Sequence, residues 1–297
     1  MKLRFWLLPA AVLLLSGCAS IDFDYPREES YALTDTSDTS VGKNLAAADF
    51  DYPPDQSGFY PLSDGIDALA ARLLLAGRAE RSIDVQYYLI KDDIVGRAFI
   101  TSLLDAAERG VRVRLLIDDM FTGGYDVGLA ALDAHPNFEI RIFNPFYRGM
   151  AGRARSGVTG FSRINRRMHN KSFTVDNQVT VIGGRNIADE YFGAREDAKF
   201  SDLDVLGVGP VVQDVSTMFD SFWIHETAIP VPAFIEMPQD TAAELERVRV
   251  DLAAFREEVR ASPYADALRR QALKFVDASS DALVWAPYTL TYDAADK

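Results

Sequence analysis

The sequence predicts an α/β domain built on a mainly parallel or mixed β-sheet flanked by helices on both faces. Two observations carry that reading. From Ser63 onward, short apolar runs alternate with stretches of helical period, in the order expected of β-α-β-α-β units. Hydrophobic residues make up 48% of the 297-residue chain, enough to bury a sizeable core.

Ser63 can cap a first helix whose apolar face includes Ile66, Leu69, Leu73 and Leu74. Ser82 to Ile90 alternates like a strand, and Val95 to Glu108 is helical. Val111 to Ile117 is a strand ending at Asp118-Asp119, Gly128 to Ala134 a short helix, and Phe138 to Phe143 a further strand. Arg148 to Arg167 interrupts the order with Arg148, Arg153, Arg155, Arg163, Arg166 and Arg167 and no acidic residue. Such a segment either guides an anionic group toward the residues that follow it or forms a solvated loop. After residue 192, Asp202 to Val208 is strand-like and Val211 to His225 a helix rich in Val215, Met218, Phe219, Phe222 and Trp223. Thr241 to Arg260 and Tyr264 to Val276 read as charged surface helices, and Leu283 to Tyr292 as a last strand broken by Pro287.

The chemistry concentrates in Met168 to Phe192. On a strand, His169 and Lys171 share a face because they are two residues apart. Val175 ends that strand, Asp176-Asn177 suits a tight hairpin turn, and Val179 to Ile182 is its return. Gly183-Gly184 permits close backbone approach to whatever His169 and Lys171 hold. Asn186 is read as opening a helix, whose N-terminus attracts anions. An imidazole, an ammonium, two glycines and a helix start converge on a point that suits a phosphate.

His-x-Lys, four residues, Asp, six residues, Gly-Gly, then Asn resembles the HKD motif of the phospholipase D superfamily. The resemblance runs from about Ser63 to Lys297 and implies a phospholipase D-like fold. It also implies that His169 attacks phosphorus to give a covalent phosphohistidine, while Lys171 and Asn186 stabilise the non-bridging oxygens. Asp202, on a later strand, is the carboxylate expected to orient His169, with Asp204 the runner-up. Asp176 belongs to the motif's catalytic set or serves only the turn. Gly183, Gly184, Arg166 and Arg167 are the expected phosphate-binding residues. No cofactor and no metal are expected, since the family's chemistry needs none and no His/Cys/carboxylate set has clear metal spacing. Neither His135 nor His225 has a Lys two residues later, so a single HKD motif is present. The second histidine would come from a homodimer partner or from a C-terminal half beyond Lys297. The pattern most resembles the N-terminal half of a two-motif, cardiolipin synthase-like lipoprotein.

Met1 to Ser20 reads as an export signal, with Lys2 and Arg4 before the apolar run Trp6 to Leu15. Leu15-Ser16-Gly17-Cys18 resembles a lipobox, which implies a signal peptide over residues 1–17 and lipidation of Cys18. Ala19 in the next position implies an outer-membrane address facing the periplasm. Cys18 is the only cysteine, so no internal disulfide can form. Residues 18–61, rich in Asp, Ser, Thr and Pro, read as a flexible tether, leaving 62–297 as the domain. The net charge of −13 argues against a generic nucleic-acid binder. Anionic phospholipids are the partners that the resemblance to the HKD motif, the lipobox and the arginine-rich segment imply. The alternatives are an exported nuclease of the same superfamily and a non-catalytic lipid-binding half-domain.

Overall fold

The computed structural model describes residues 21–48, 53–148, 165–195, 200, 202–277 and 282–296. Among them one sheet runs in the order β8-β4-β3-β2-β5-β6-β7-β1-β9. Its strands are β1 (Ser57–Leu62), β2 (Ser82–Tyr87), β3 (Arg112–Asp118), β4 (Phe138–Phe143), β5 (Ser172–Val175), β6 (Val179–Gly183), β7 (Asp204–Val208), β8 (Ala228–Pro230) and β9 (Val284–Ala286). Only β2–β3 and β3–β4 pair in parallel. These are the strands joined by helical crossovers, α3 (Ile94–Glu108) and α4 (Asp126–Asp133). Every other pairing is antiparallel, so the sheet is mixed.

Helices cover both faces. On one, Ile83, Val85 and Phe173 pack with Leu69 of α2 (Gly65–Arg78) and with Phe99 and Leu103 of α3. On the other, Leu116, Phe143 and Met168 meet Phe219, Phe222 and Trp223 of α6 (Pro210–Trp223). The alternation of β2 explains the division: Ile83, Val85 and Tyr87 face the first layer, and Asp84 and Gln86 the second. The chain also forms α1 (Ser40–Ala47), α5 (Asp189–Phe192), α7 (Thr241–Val259) and α8 (Pro263–Asp277). Helix α2 is capped one residue later than the sequence suggests: Asp64 Oδ1, rather than Ser63, accepts from Ile66 N at 2.8 Å.

The expected tether over residues 18–61 is corrected where it is described. Residues 21–48 lie against the domain, and Ser57–Leu62 is a sheet strand between β7 and β9. The reason is a demand for hydrogen-bond acceptors. Arg114 is fully buried, held by Asp84 at 2.6 Å and Asp220 at 2.9 Å, and its remaining donor reaches Ser30 O at 2.7 Å. Arg141 Nη2 likewise donates to Glu28 O at 2.7 Å, and Asn177 Nδ2 to Leu33 O at 2.8 Å. Backbone carbonyls of the polar segment satisfy donors that the sheet leaves over. Among the described residues, no helix is long and apolar enough to cross a membrane.

A second buried ion pair ties the layers together. Arg72 of α2 donates to Asp204 of β7 at 2.8 Å, to Tyr87 Oη of β2 at 2.8 Å and to Ala68 O at 2.8 Å. Removing one partner of such a pair strands the other charge. Asp204→Ala is therefore expected to cost about 3–5 kcal/mol, measured as a lower urea midpoint, with Asp202→Ala near neutral in the same assay.

Candidate active site

The carboxyl ends of β2, β3 and β6 and the amino ends of β5 and β7 share one edge of the sheet, because β5 and β7 run antiparallel to their neighbours. His169 and Lys171 lie immediately before β5. Both face Tyr88, whose ring centroid is 5.1 Å from that of His169 and 5.9 Å from Lys171 Nζ. His169 is exposed, whereas Lys171 is only 6% exposed and donates to His169 O at 2.6 Å. Burial lowers the Lys171 ammonium to about 8, against the opposing pull of Asp202 and Asp204. Partial burial, then the Lys171 charge, holds the His169 imidazole below its ordinary value, while Asp293 and Asp202 act the other way. At neutral pH His169 is therefore neutral and Lys171 charged. A neutral imidazole thus stands beside a positive charge.

Two carboxylates enter this edge from β7. Asp204 is spent on Arg72 and also accepts from Arg185 N at 3.3 Å. Asp202 is half-buried and accepts from Leu203 N at 2.8 Å. Of the carboxylates, Asp293 and then Asp202 are the ones whose charge reaches His169. No described residue donates to or accepts from the imidazole ring.

The two glycines sit against carboxylates. A Cβ on Gly184 would stand 2.1 Å from Asp202 Oδ1, and one on Gly183 would stand 2.1 Å from Asp204 Oδ1. Their missing side chains admit the two carboxylates. Asn186 does not open a helix. The nearest helix, α5, begins at Asp189, has four residues and carries acidic groups in its first turn. Asn186 Nδ2 instead donates to Tyr191 Oη at 3.2 Å, while its buried Oδ1 has no partner.

Asp176 is also corrected. It sits at the far end of β5 from His169, at the hairpin turn, where Asp176 and Asn177 have φ of +49° and +50°. Its buried carboxylate accepts from Glu80 N at 3.2 Å, Arg81 N at 2.7 Å and Ser82 N at 2.9 Å, fixing the start of β2. It touches no reacting group.

Arg167 is an anchor rather than a free phosphate ligand. It donates to Asp118 at 2.9 Å and to Asn144 O at 2.8 Å, with its guanidinium 4.9 Å from the Phe146 ring. Arg166 is exposed. Arg148 binds Asp119 at 2.8 Å, and Arg153, Arg155, Arg163 and Cys18 lie outside the described residues. Asp118, given no role from the sequence, also accepts from Met168 N at 2.9 Å and so aims the chain into His169. Burial pushes its carboxyl up to about 6 in spite of Arg167. An Asp at the carboxyl end of a parallel strand was the available signal. Tyr88 was missed as well, hidden inside an apolar run. Among the described residues no group of three His, Cys, Asp or Glu side chains is arranged to hold a metal ion.

Residues 74–223 match the family described as "Cardiolipin synthase, PLD-like domain". The chain belongs to that family. Cardiolipin synthase C of Escherichia coli (strain K12) is 45% identical over 249 residues, covering 81% of this chain and 50% of the relative. The chain thus spans about half the length of that curated relative. Among solved structures, a phosphatidylserine synthase of Haemophilus influenzae Rd KW20 has a TM-score of 0.45 at 14% identity, covering 74% of this chain and 47% of that one. NucT from Helicobacter pylori has a TM-score of 0.42 at 15% identity, covering 59% and 98%. The chain is thus a member of the phospholipase D-like superfamily.

In this PLD-like domain Asp176→Ala is expected to lose at least about 2 kcal/mol of stability while leaving any turnover per folded molecule unchanged. A fall in turnover at full folding, measured by circular dichroism beside product analysis, would return Asp176 to the site.

Proposed function

We propose that this domain transfers phosphatidyl groups between anionic glycerophospholipids, in the manner of a cardiolipin synthase, through a phosphohistidine at His169. The observation that carries the proposal is one exposed, neutral imidazole beside a buried ammonium and the half-buried Asp202. The 45% identity to a cardiolipin synthase supports the substrate class.

The proposed reaction has two displacements at phosphorus. A lone pair on His169 attacks phosphorus, a P–N bond forms and the P–O bond to the headgroup alcohol breaks. The leaving alkoxide takes its proton from an acid on the opposite side, the second histidine of a facing half. Lys171 neutralises charge on the non-bridging oxygens, and its low-dielectric setting strengthens that attraction. Asp202 stabilises the imidazolium character that develops on attack. An acceptor alcohol, deprotonated by the same second histidine, then attacks phosphorus and frees His169. With water as acceptor the same steps give a phospholipase D. The partner half is supplied by a second copy or by a further half of a longer protein. Lipidated Cys18 would keep the domain at the membrane. The superfamily's nuclease reading is weakened by the net charge of −13, which repels a polyanion.

The test is turnover of phosphatidylglycerol vesicles in chelator, with products identified by mass spectrometry. Cardiolipin or phosphatidate formed by the wild type and absent from His169→Ala is the expected result. The rate should fall on the acid side as His169 is protonated, below the ordinary histidine range, and on the alkaline side above about pH 8 as Lys171 loses its proton. DNA cleavage in the same metal-free buffer, without lipid turnover, would overturn the lipid reading.

A further inference from the structure

The chain that follows β9 comes back to the candidate site. Strand β9 pairs with Ser57–Phe59 of β1 and ends at Ala286, before Pro287, which has no N–H to give to the ladder. Residues 287–296 then run as an irregular arm over the layer formed by Phe219, Phe222 and Trp223. Tyr288, Leu290 and Ala295 are partly buried against that layer, and Thr289 and Thr291 are exposed. The Tyr288 ring meets Phe59 edge-on at 6.0 Å between centroids, and its hydroxyl donates to Asp214 of α6 at 2.5 Å.

The arm is pinned again at Asp293, by the residue next to the imidazole. Asn170 Nδ2 donates to Asp293 O and Asn170 Oδ1 accepts from Asp293 N, each at 3.3 Å. The amide side chain thus imitates one residue of a strand ladder, meeting a backbone donor and acceptor together. In extended chain successive residues point to opposite sides. His169 and Lys171 accordingly face Tyr88, while Met168 joins the α6 layer and Asn170 Nδ2 lies 3.7 Å from Met218 Sδ. The clamp therefore grips the back of the segment whose front carries the imidazole.

The same clamp fixes where a charge lies. Burial and then Lys171 lower the His169 imidazole, and Asp293 and then Asp202 oppose them. Tyr88, which packs on the ring, is held neutral by its own burial, and the Asp118 and Arg167 charges act on that phenol. Of the two carboxylates, the one on the arm has the larger pull on the imidazole.

Resting on the phosphohistidine reading above, we propose that Asn170 and Asp293 are positioning residues: Asn170 clamps the arm by its backbone, and the arm holds the Asp293 carboxylate near His169 to stabilise the imidazolium formed on attack. In that step the imidazole lone pair forms the P–N bond and the P–O bond to the headgroup alcohol breaks. The leaving alkoxide takes its proton from the facing half, and the positive charge left on the His169 ring is what Asp293 offsets.

The experiment is an NMR titration of the full chain carrying isotope-labelled histidine. The chain has three histidines, and His169→Ala assigns the signal. Asp293→Asn keeps the backbone clamp and removes the charge, so the His169 midpoint should fall, and Asp293→Glu should restore it toward the wild type. Asn170→Ala changes no charge but frees the arm, and should lower the same midpoint. Asp296→Asn is the control on the same arm. Burial lowers the His225 imidazole while Glu226 and then Asp296 oppose it, so this variant should move His225 and leave His169 in place. Circular dichroism confirms that each variant is folded. On phosphatidylglycerol vesicles Asp293→Asn should lower kcat about tenfold at unchanged KM. A His169 midpoint unmoved in Asp293→Asn, or moved as far by Asp296→Asn, would overturn the proposal and leave the phosphohistidine reading standing. Because the titration needs neither lipid nor turnover, failure of that reading shows separately, as turnover that survives in His169→Ala.

Discussion

The geometry of the candidate site depends on the buried pair of Arg72 and Asp204. Arg72 reaches across the domain to β7 and β2 at once, and Asp204 also holds the backbone of Arg185 just after β6. Arg185 in turn donates to Leu62 O at 3.0 Å and Ser63 O at 2.6 Å, binding the end of β1. A desolvated guanidinium is tolerable only when nearly all its donors are met. Here that requirement fixes where β7 begins, and so where Asp202 enters the site. Gly183 and Gly184 then follow as a steric necessity, since any side chain there would displace a carboxylate.

On this frame the site is an arrangement of unequal burials. Lys171 is sunk deeply enough to lower its pKa to about 8, yet two carboxylates keep it charged at neutral pH. His169, closer to solvent, is kept neutral first by its own partial burial and then by the Lys171 charge beside it. On the opposite flank Asp118 gathers Arg167 and the Met168 amide, so the segment entering the motif is held by a charge-assisted contact just before the imidazole. Neutral nucleophile and cationic neighbour are thus set by position rather than by any single strong interaction.

Much of the fold was legible because helices and strands between Ser63 and Val208 carry clean periods. Phe138–Phe143 appears as read, and the Asp176-Asn177 turn has the positive φ values its residue types favour. What escaped has physical causes. The strand Ser57–Leu62 and the strap of residues 21–48 are recruited by long-range partners, β7 and the buried Arg114 and Arg141, which local composition does not reveal. Of the two sheets the sequence left open, mainly parallel or mixed, the mixed one forms because β5 to β7 turn back on one another without helical crossovers. His169, Lys171 and Asp202 lie at one edge of the sheet. Asp176 serves the turn, one of the two roles its position left open, and Gly183 and Gly184 make room for carboxylates, because spacing identifies which residues travel together but not which contacts each one makes. The Arg72–Asp204 link joins positions 132 residues apart, beyond any local pattern.

The central claim is that His169 is the nucleophile. Its most direct test is to quench the full chain with phosphatidylglycerol labelled at phosphorus and locate any covalent phosphatidyl group by mass spectrometry. The account predicts an acid-labile, base-stable adduct on His169 that is absent from His169→Ala and diminished in Lys171→Met. An adduct on another side chain, or lipid turnover that continues in His169→Ala, would contradict it.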